Sequence, residues 1–533
     1  MKGKTKRVLG SLLAVLMMSS LLGGCGGSNE QPKESGKPDQ TAKETAGPAV
    51  TLTVEVFDRG IQGQPSLDNN QWTRYINDNF GKANNVNVKF VPVPRTQEID
   101  KLNIMMAAGE APDISFTYDQ ATIYKYVKND GITQLDDLLP KHGSALSSYL
   151  GKNVLKYGVF GGKQMAIPAK RTLVAWSTAF IRQDWLDKLG LPVPTNQEEL
   201  YNTLIAFRDK NPGGVNGVIP WGTAVGGSGS MYGFSNVLDI YREKQTEEQF
   251  ATLPSWTKPG NKEGMRFLNK LYNEKLISPD FAIDKTGKQA DADVTNGKVG
   301  FFSSLWDYPF RTSPGIYAAL QKNVPTAKLT PVDVFKNSQG KYEKAIYSEY
   351  GMFVFIPKTS KNAVQAIKYL NWMADPKVTY YLQNGEEGVN HKLVDGLPQV
   401  IPQTGDKMMT GTFNGDYVII VNGAEMNDPE KNAKLVTKGY GAAYEADVAK
   451  ALKIGTADGR AGFFFDAPIE ASTKYGKTLA DKDLDMTAQL VYCKPADFDK
   501  LYDSLTAEYM AAGGQAVMEE KGKVYKAMQA TNK

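Results

Sequence analysis

The chain has 533 residues, with 62 Lys+Arg, 58 Asp+Glu, two His and two Cys. That length is too great for one small hydrophobic core, so two or more domains are expected. Lys2, Lys4, Lys6 and Arg7 account for the whole formal charge of +4, and the remainder balances at 58 basic and 58 acidic residues; this argues against nucleic acid as a partner, because phosphate binding needs a basic face.

Lys2 to Arg7 form a basic start, Val8 to Leu22 an apolar run, and Gly23-Gly24 precede Cys25. That order is a secretory signal peptide. A cysteine after two small residues resembles the bacterial lipoprotein signal, which implies cleavage before Cys25 and diacylation of its thiol. The run is short for a membrane span, which takes about 20 apolar residues. Gly26 to about Ala49 lacks large apolar side chains and reads as a flexible tether. With Cys25 acylated, Cys493 has no disulfide partner; Leu490-Val491-Tyr492-Cys493 reads as a strand or buried turn carrying an inert thiol.

The folded part opens with alternating Leu52, Val54 and Val56, a strand, followed by the loop Asp58-Arg59-Gly60. A helix is predicted over 70–80 and a strand over 86–90, stopped by Pro92 and Pro94. A helix over 97–108 ends at Gly109 and Pro112, and the strand 114–116 runs into Thr117-Tyr118-Asp119. This alternation predicts α/β units with a parallel sheet. Thr195-Asn196-Gln197-Glu198 reads as a capping box, with Leu200, Leu204 and Phe207 on the face of the helix it starts. Strands follow at 218–221, before a glycine-rich loop through Gly229, at 299–302, running into Trp306-Asp307-Tyr308, and at 352–356. Helices are predicted over 362–374, 496–511 and 514–530.

Several stretches together resemble extracellular solute-binding proteins, family 1. They are Lys101–Ala107 with Glu110-Ala111-Pro112-Asp113-Ile114, Gly161–Pro168, Phe180–Leu191, Asn296–Phe301 and Ala366–Asp375. The resemblance covers nearly all of 51–395 in the family's order. It implies a two-lobe α/β fold of the periplasmic-binding-protein type (class II), with a hinge and an interlobe cleft. The implied activity is that of an extracytoplasmic receptor delivering a sugar or oligosaccharide to an ABC permease, monomeric and touching the membrane through its lipid alone. The expected layout is a signal peptide over 1–24, lipidated Cys25 and a disordered tether over 25–50, an N-terminal lobe from 51–175 plus about 310–355, and a C-terminal lobe from 176–309 plus about 356–533. Hinge crossings are expected near 172–182, 302–312 and 348–358.

Many relatives carry an acidic calcium loop where this chain has Asp209 to Pro220, a segment with almost no carboxylate besides Asp209. Calcium takes six or more oxygens, so no metal site is expected, and no cofactor. His142 and His391 lie far apart in sequence, and HExxH, GxSxG and phosphate-loop patterns are missing, so the chain is expected to be a binder and not an enzyme. A surface-anchored glycan hydrolase, which needs only two suitably spaced carboxylates, and the same fold binding a peptide or other solute are the rival readings.

In open α/β sheets, ligands sit beyond the carboxyl ends of strands. That rule selects Asp58, Arg59, Tyr118, Asp119, Trp221, Trp306, Asp307 and Tyr308 as ligand-binding candidates, with Arg171 and Glu349 beside the lobe crossings. Aromatic faces suit sugar C–H surfaces and charged groups suit hydroxyls. Each of these polar residues also has a structural alternative as a local pair, and Trp221 and Trp306 as core fillers. Trp72, Trp185 and Trp372, on predicted helices, are expected in the core.

Overall fold

The computed structural model describes residues 48–225, 233, 245–312, 315–336, 340, 343–409 and 415–531. The leader, Cys25, the tether and the loop at Gly226–Gly229 lie outside the described residues. The strands that carry the architecture are β1 (Val50–Asp58), β2 (Val86–Pro94), β3 (Ser115–Thr117), β4 (Ile167–Arg171), β5 (Ser177–Arg182), β6 (Ile219–Gly222), β7 (Val299–Leu305), β8 (Leu329–Val332), β9 (Tyr350–Phe355) and β10 (Val421–Asn422).

They form two four-stranded sheets, ordered β10-β4-β9-β3 and β8-β5-β7-β6. The parallel pair β1–β2 extends the first sheet through a parallel bridge from Val54 to Ile114. Neither sheet is purely parallel, as the alternation predicted. β9 runs antiparallel to both β3 and β4, and β5 runs antiparallel to both β7 and β8. The reason is connectivity: β5 and β9 each enter their sheet from the other one, and each runs against the two strands it lies between.

Each sheet is covered on both faces, so its central strands are buried at consecutive residues whose side chains enter two different cores in turn. On β9 and just after it, Met352, Val354 and Ile356 enter one core with β1, β2 and the helix Ala363–Met373, while Phe353 and Phe355 enter another with Leu102 and Ile123. On β5, Ile181 joins Trp185, Phe207 and Phe301, whereas Phe180 joins Phe302 and Phe310 on the reverse face. Burial of each such side chain contributes about 1.5–3 kcal/mol. Trp72 and Trp185 are core residues, as expected, and Trp372 packs against the first core from its edge.

Several boundaries differ from expectation. β2 continues through both prolines as an edge strand, pairing Val56 with Pro92 and Asp58 with Pro94; an edge tolerates proline because one side of it needs no ladder donor. Helix Gln197–Lys210 is capped by Asn196, whose side chain accepts from the Glu199 N–H (2.9 Å), while the Glu199 carboxylate binds Thr195. The cap thus sits one residue later than the Thr195 box. Leu490–Tyr492 is neither strand nor turn but the end of a 23-residue helix, Glu470–Tyr492, and Cys493 is its half-buried C-cap, its thiol pKa raised by burial. In the 209–220 segment, Asp209 pairs with Arg208 and Asn211 bonds Val215 from both ends of its amide.

The lobes are composed differently from the expected 51–175 plus 310–355 and 176–309 plus 356–533. Strand β8 and Ile316–Leu320 belong to the second sheet's core, and residues 366–382 and 417–421 belong to the first. The chain passes between the sheets at 172–176, between β8 and β9, and after β10. The expected crossing at 302–312 lies within the second sheet's own core, because β7 continues to Leu305 and the turn behind it folds back on Phe180.

Candidate functional site

Five strands of the first lobe deliver residues to one end. β1 and β3 end there in Asp58-Arg59 and Tyr118-Asp119. β4 and β10 finish side by side, Arg171 opposite Asn422, and antiparallel β9 begins there at Tyr350. The first crossing leaves from this end, and a second runs beside it, with the Tyr347 N–H donating to the Val174 carbonyl at 2.9 Å.

The groups meet as a layered set of rings and guanidinium planes. Tyr118 stacks on Phe57 at 6.3 Å, and Arg95 lies 4.8 Å from the Phe57 ring and 4.9 Å from the Tyr118 ring while pairing with Glu98. Arg59 forks onto Asp416 with bonds of 2.6 and 2.8 Å. The Tyr118 hydroxyl accepts from the Asn422 amide at 2.9 Å, and burial raises its pKa against the pull of the neighbouring arginines. Arg171 donates from Nε to the Tyr350 carbonyl at 3.1 Å and lies 4.4 Å from the Tyr347 ring. Tyr347 in turn stacks on Trp176 at 5.3 Å with planes 14° apart. Burial lowers the Arg171 pKa.

Arg59, Tyr118, Arg171 and exposed Glu349 are therefore brought together. The other candidates are tied up locally. Asp58 accepts from Gly60 N–H (2.9 Å) and Gln64 Nε2 (2.7 Å), contacts that lower its pKa. Asp119 caps helix Gln120–Lys128 through Thr122. Trp221 is fully buried between Phe301 and Phe335, at 5.0 and 5.8 Å, because it lies inside β6 and not past its end. Trp306 is 9% exposed and stands edge-on to Tyr440. Asp307 accepts two bonds from Arg311 (2.9 and 2.8 Å) and one from the Tyr440 hydroxyl (2.6 Å). The Tyr308 hydroxyl donates to Asp291 at 2.8 Å. The Trp306-Asp307-Tyr308 turn therefore serves packing and local charge balance.

Trp176, Tyr347, Arg95 and Asn422 were missed. Trp176 precedes a strand, so a rule about strand ends that follow in sequence passes over it; its position inside a crossing was the available signal.

The segment after Ala461 spans the lobes. Phe464 packs on Tyr157 (5.1 Å), Tyr350 (5.8 Å) and Phe160 (6.2 Å) of the first lobe, and the Phe465 carbonyl accepts from Gln120 and Tyr124. Beside it a cavity of about 450 Å³ is lined by Gln120, Tyr124, Phe250, Phe463, Phe465 and Lys521, among others. No helix among the described residues is long and apolar enough to cross a membrane.

The profile of bacterial extracellular solute-binding proteins matches residues 65–380. The chain belongs to that family. Lipoprotein LipO of Bacillus subtilis is 26% identical over 400 residues, 72% of this chain and 74% of that one. The polygalacturonan/rhamnogalacturonan-binding protein YtcQ of the same organism is 23% identical over 412 residues, 73% of this chain and 74% of that protein. Among solved structures, the HMO-binding, ABC-transporter-associated solute-binding protein of Bifidobacterium longum infantis superposes with a TM-score of 0.64 at 18% identity, covering 90% of this chain and 98% of that one. The fold is thus the two-lobe solute-binding type, and this protein is a bacterial extracellular solute-binding protein.

Proposed function

We propose that the solute is an oligosaccharide, bound between the lobes on the surface formed by Arg171, Tyr347, Trp176, Tyr118 and Glu349, and delivered to ABC permease subunits by a monomeric receptor tethered outside the cell membrane through lipid on Cys25. The observation that carries this reading is the stack of Trp176 on Tyr347 beside Arg171, at the crossings where both lobes converge. Ring faces match the apolar C–H faces of sugars, and a guanidinium fork matches hydroxyl oxygens. The names of the polygalacturonan-binding relative and the HMO-binding neighbour agree with a sugar.

A thermal-unfolding screen of the purified protein against neutral and acidic oligosaccharides tests it. A ligand at about 100 times its Kd adds about 2.7 kcal/mol to stability. A shift with peptides and none with sugars would move the reading to another solute, and sugar release by the purified protein would move it to a hydrolase. For the anchor, Cys25→Ser should shift the protein from the membrane fraction to the soluble or unprocessed pool; unchanged fractionation with normal processing would refute lipidation.

A further inference from the structure

The arginines of the cleft differ in one respect. Arg59 and Arg95 are each neutralised by a carboxylate, from Asp416 and Glu98. Arg171 is half-buried and, among the described residues, has no carboxylate within ion-pair distance. Its recorded partners are one carbonyl and one ring. Neighbouring Lys170 is paired with Glu425 at 2.9 Å. Glu349 gives Arg171 only its backbone carbonyl, which accepts the Arg171 N–H at 2.7 Å. Partial burial of a guanidinium without an anion carries a desolvation cost, and four of its five N–H donors remain for a ligand.

The same pattern recurs in the adjoining cavity. Lys521 lines it, 5.8 Å from the Phe465 ring, and has no ion pair among the described residues. Burial lowers its pKa. The segment bordering that cavity places Phe464 against Tyr350, the residue whose carbonyl holds Arg171. Lys521 is thus a second cation with no ion pair among the described residues, linked to the Arg171 neighbourhood through Phe465, Phe464 and Tyr350.

We propose that the solute is an anionic saccharide, a uronic-acid oligomer, with one carboxylate forked onto the terminal nitrogens of Arg171 and the sugar faces against Tyr347 and Trp176. This rests on the sugar-receptor reading above. A planar carboxylate matches the guanidinium fork in two parallel bonds, which a hydroxyl cannot do.

The test is calorimetric titration with oligogalacturonate, oligomannuronate and oligoglucuronate trimers, the methyl ester of each, and neutral and sulfated trimers. At least one uronate should bind, its methyl ester at least tenfold more weakly. Arg171→Gln should cost that uronate at least tenfold while leaving the thermal unfolding temperature of the free protein unchanged, and Arg171→Lys should recover only part of the loss. Binding of a neutral trimer with no uronate bound would overturn the anionic assignment and keep the sugar receptor. Preference for the sulfated trimer, or a methyl ester binding as well as its acid, would also overturn it. A panel with no binding sugar would overturn both readings. Should Arg171→Gln fail to fold, the acid-to-ester ratio on the unaltered protein decides alone.

Discussion

Glu55 on β1 is fully buried, two residues before Phe57, whose ring stacks on Tyr118. Its Oε2 accepts the Phe116 N–H at 2.9 Å, and Oε1 has no partner among the described residues. Burial pushes its pKa up to about 8 from 4.5, and Glu98 pushes the same way, against Phe116 and Arg95. The folded state therefore holds this proton more tightly than the unfolded chain. The associated stability is fully present below about 4.5 and is lost as pH rises through about 8. At about 1.36 kcal/mol per pKa unit, the full loss approaches 5 kcal/mol, with about 3 kcal/mol gone by pH 7. Glu55→Gln keeps the acceptor for Phe116 and removes the ionisation. Urea unfolding followed at pH 5, 7 and 8.5 should give a variant near wild type at pH 5 and more stable than it at pH 8.5, with that part of the pH slope abolished. Parallel slopes for the two proteins would refute the buried neutral carboxyl.

Trp306→Ala should cost about 3–5 kcal/mol of stability, the usual range for a truncated core aromatic, with sugar affinity unchanged in calorimetry; a tenfold affinity loss with stability intact would restore Trp306 as a ligand platform. Phe464→Ala removes the ring that links the lobes through Tyr157, Tyr350 and Phe160, so small-angle scattering of the ligand-free variant should show a larger radius of gyration; an identical profile would show that this segment does not hold the lobes together.

Most elements of the fold were legible because strands with one apolar face announce their period, as at Leu52-Val54-Val56, and because Gly109 at a φ of 73° ends its helix where the sequence placed the stop. What was not legible depended on partners distant in sequence. Asn77 bonds Val88 on both of its backbone groups, standing in for a strand neighbour of β2, and no local pattern encodes that. Helix Glu470–Tyr492 buries Met486, Thr487, Leu490 and Val491 on one face, a spacing that its last residues, Leu490 to Cys493, do not show when read by themselves. In the site, strand-end topology located the right end of the first sheet but could not rank the residues on it. Asp58, Asp119 and Asp307 are polar groups at turn positions, and such groups bond nearby backbone or an available cation unless a ligand is reserved for them. Arg171 stands apart because its strand neighbours β9 and β10 offer it no acid, and both are distant in sequence.

The interleaving of the two sheets has a consequence for modularity. β4, from the first third of the chain, is flanked by β9 and β10, from residues 350–355 and 421–422. No single cut yields two halves that each own a complete sheet. A fragment ending before Val421 exposes β4 as an open edge, an invitation to pair with other chains, and a fragment starting after Arg171 leaves β9 without its neighbour. Shuffling one lobe for another by recombination would require breakpoints at all three crossings at once, so variation in this architecture is channelled into side chains on the cleft surface and not into exchange of whole lobes.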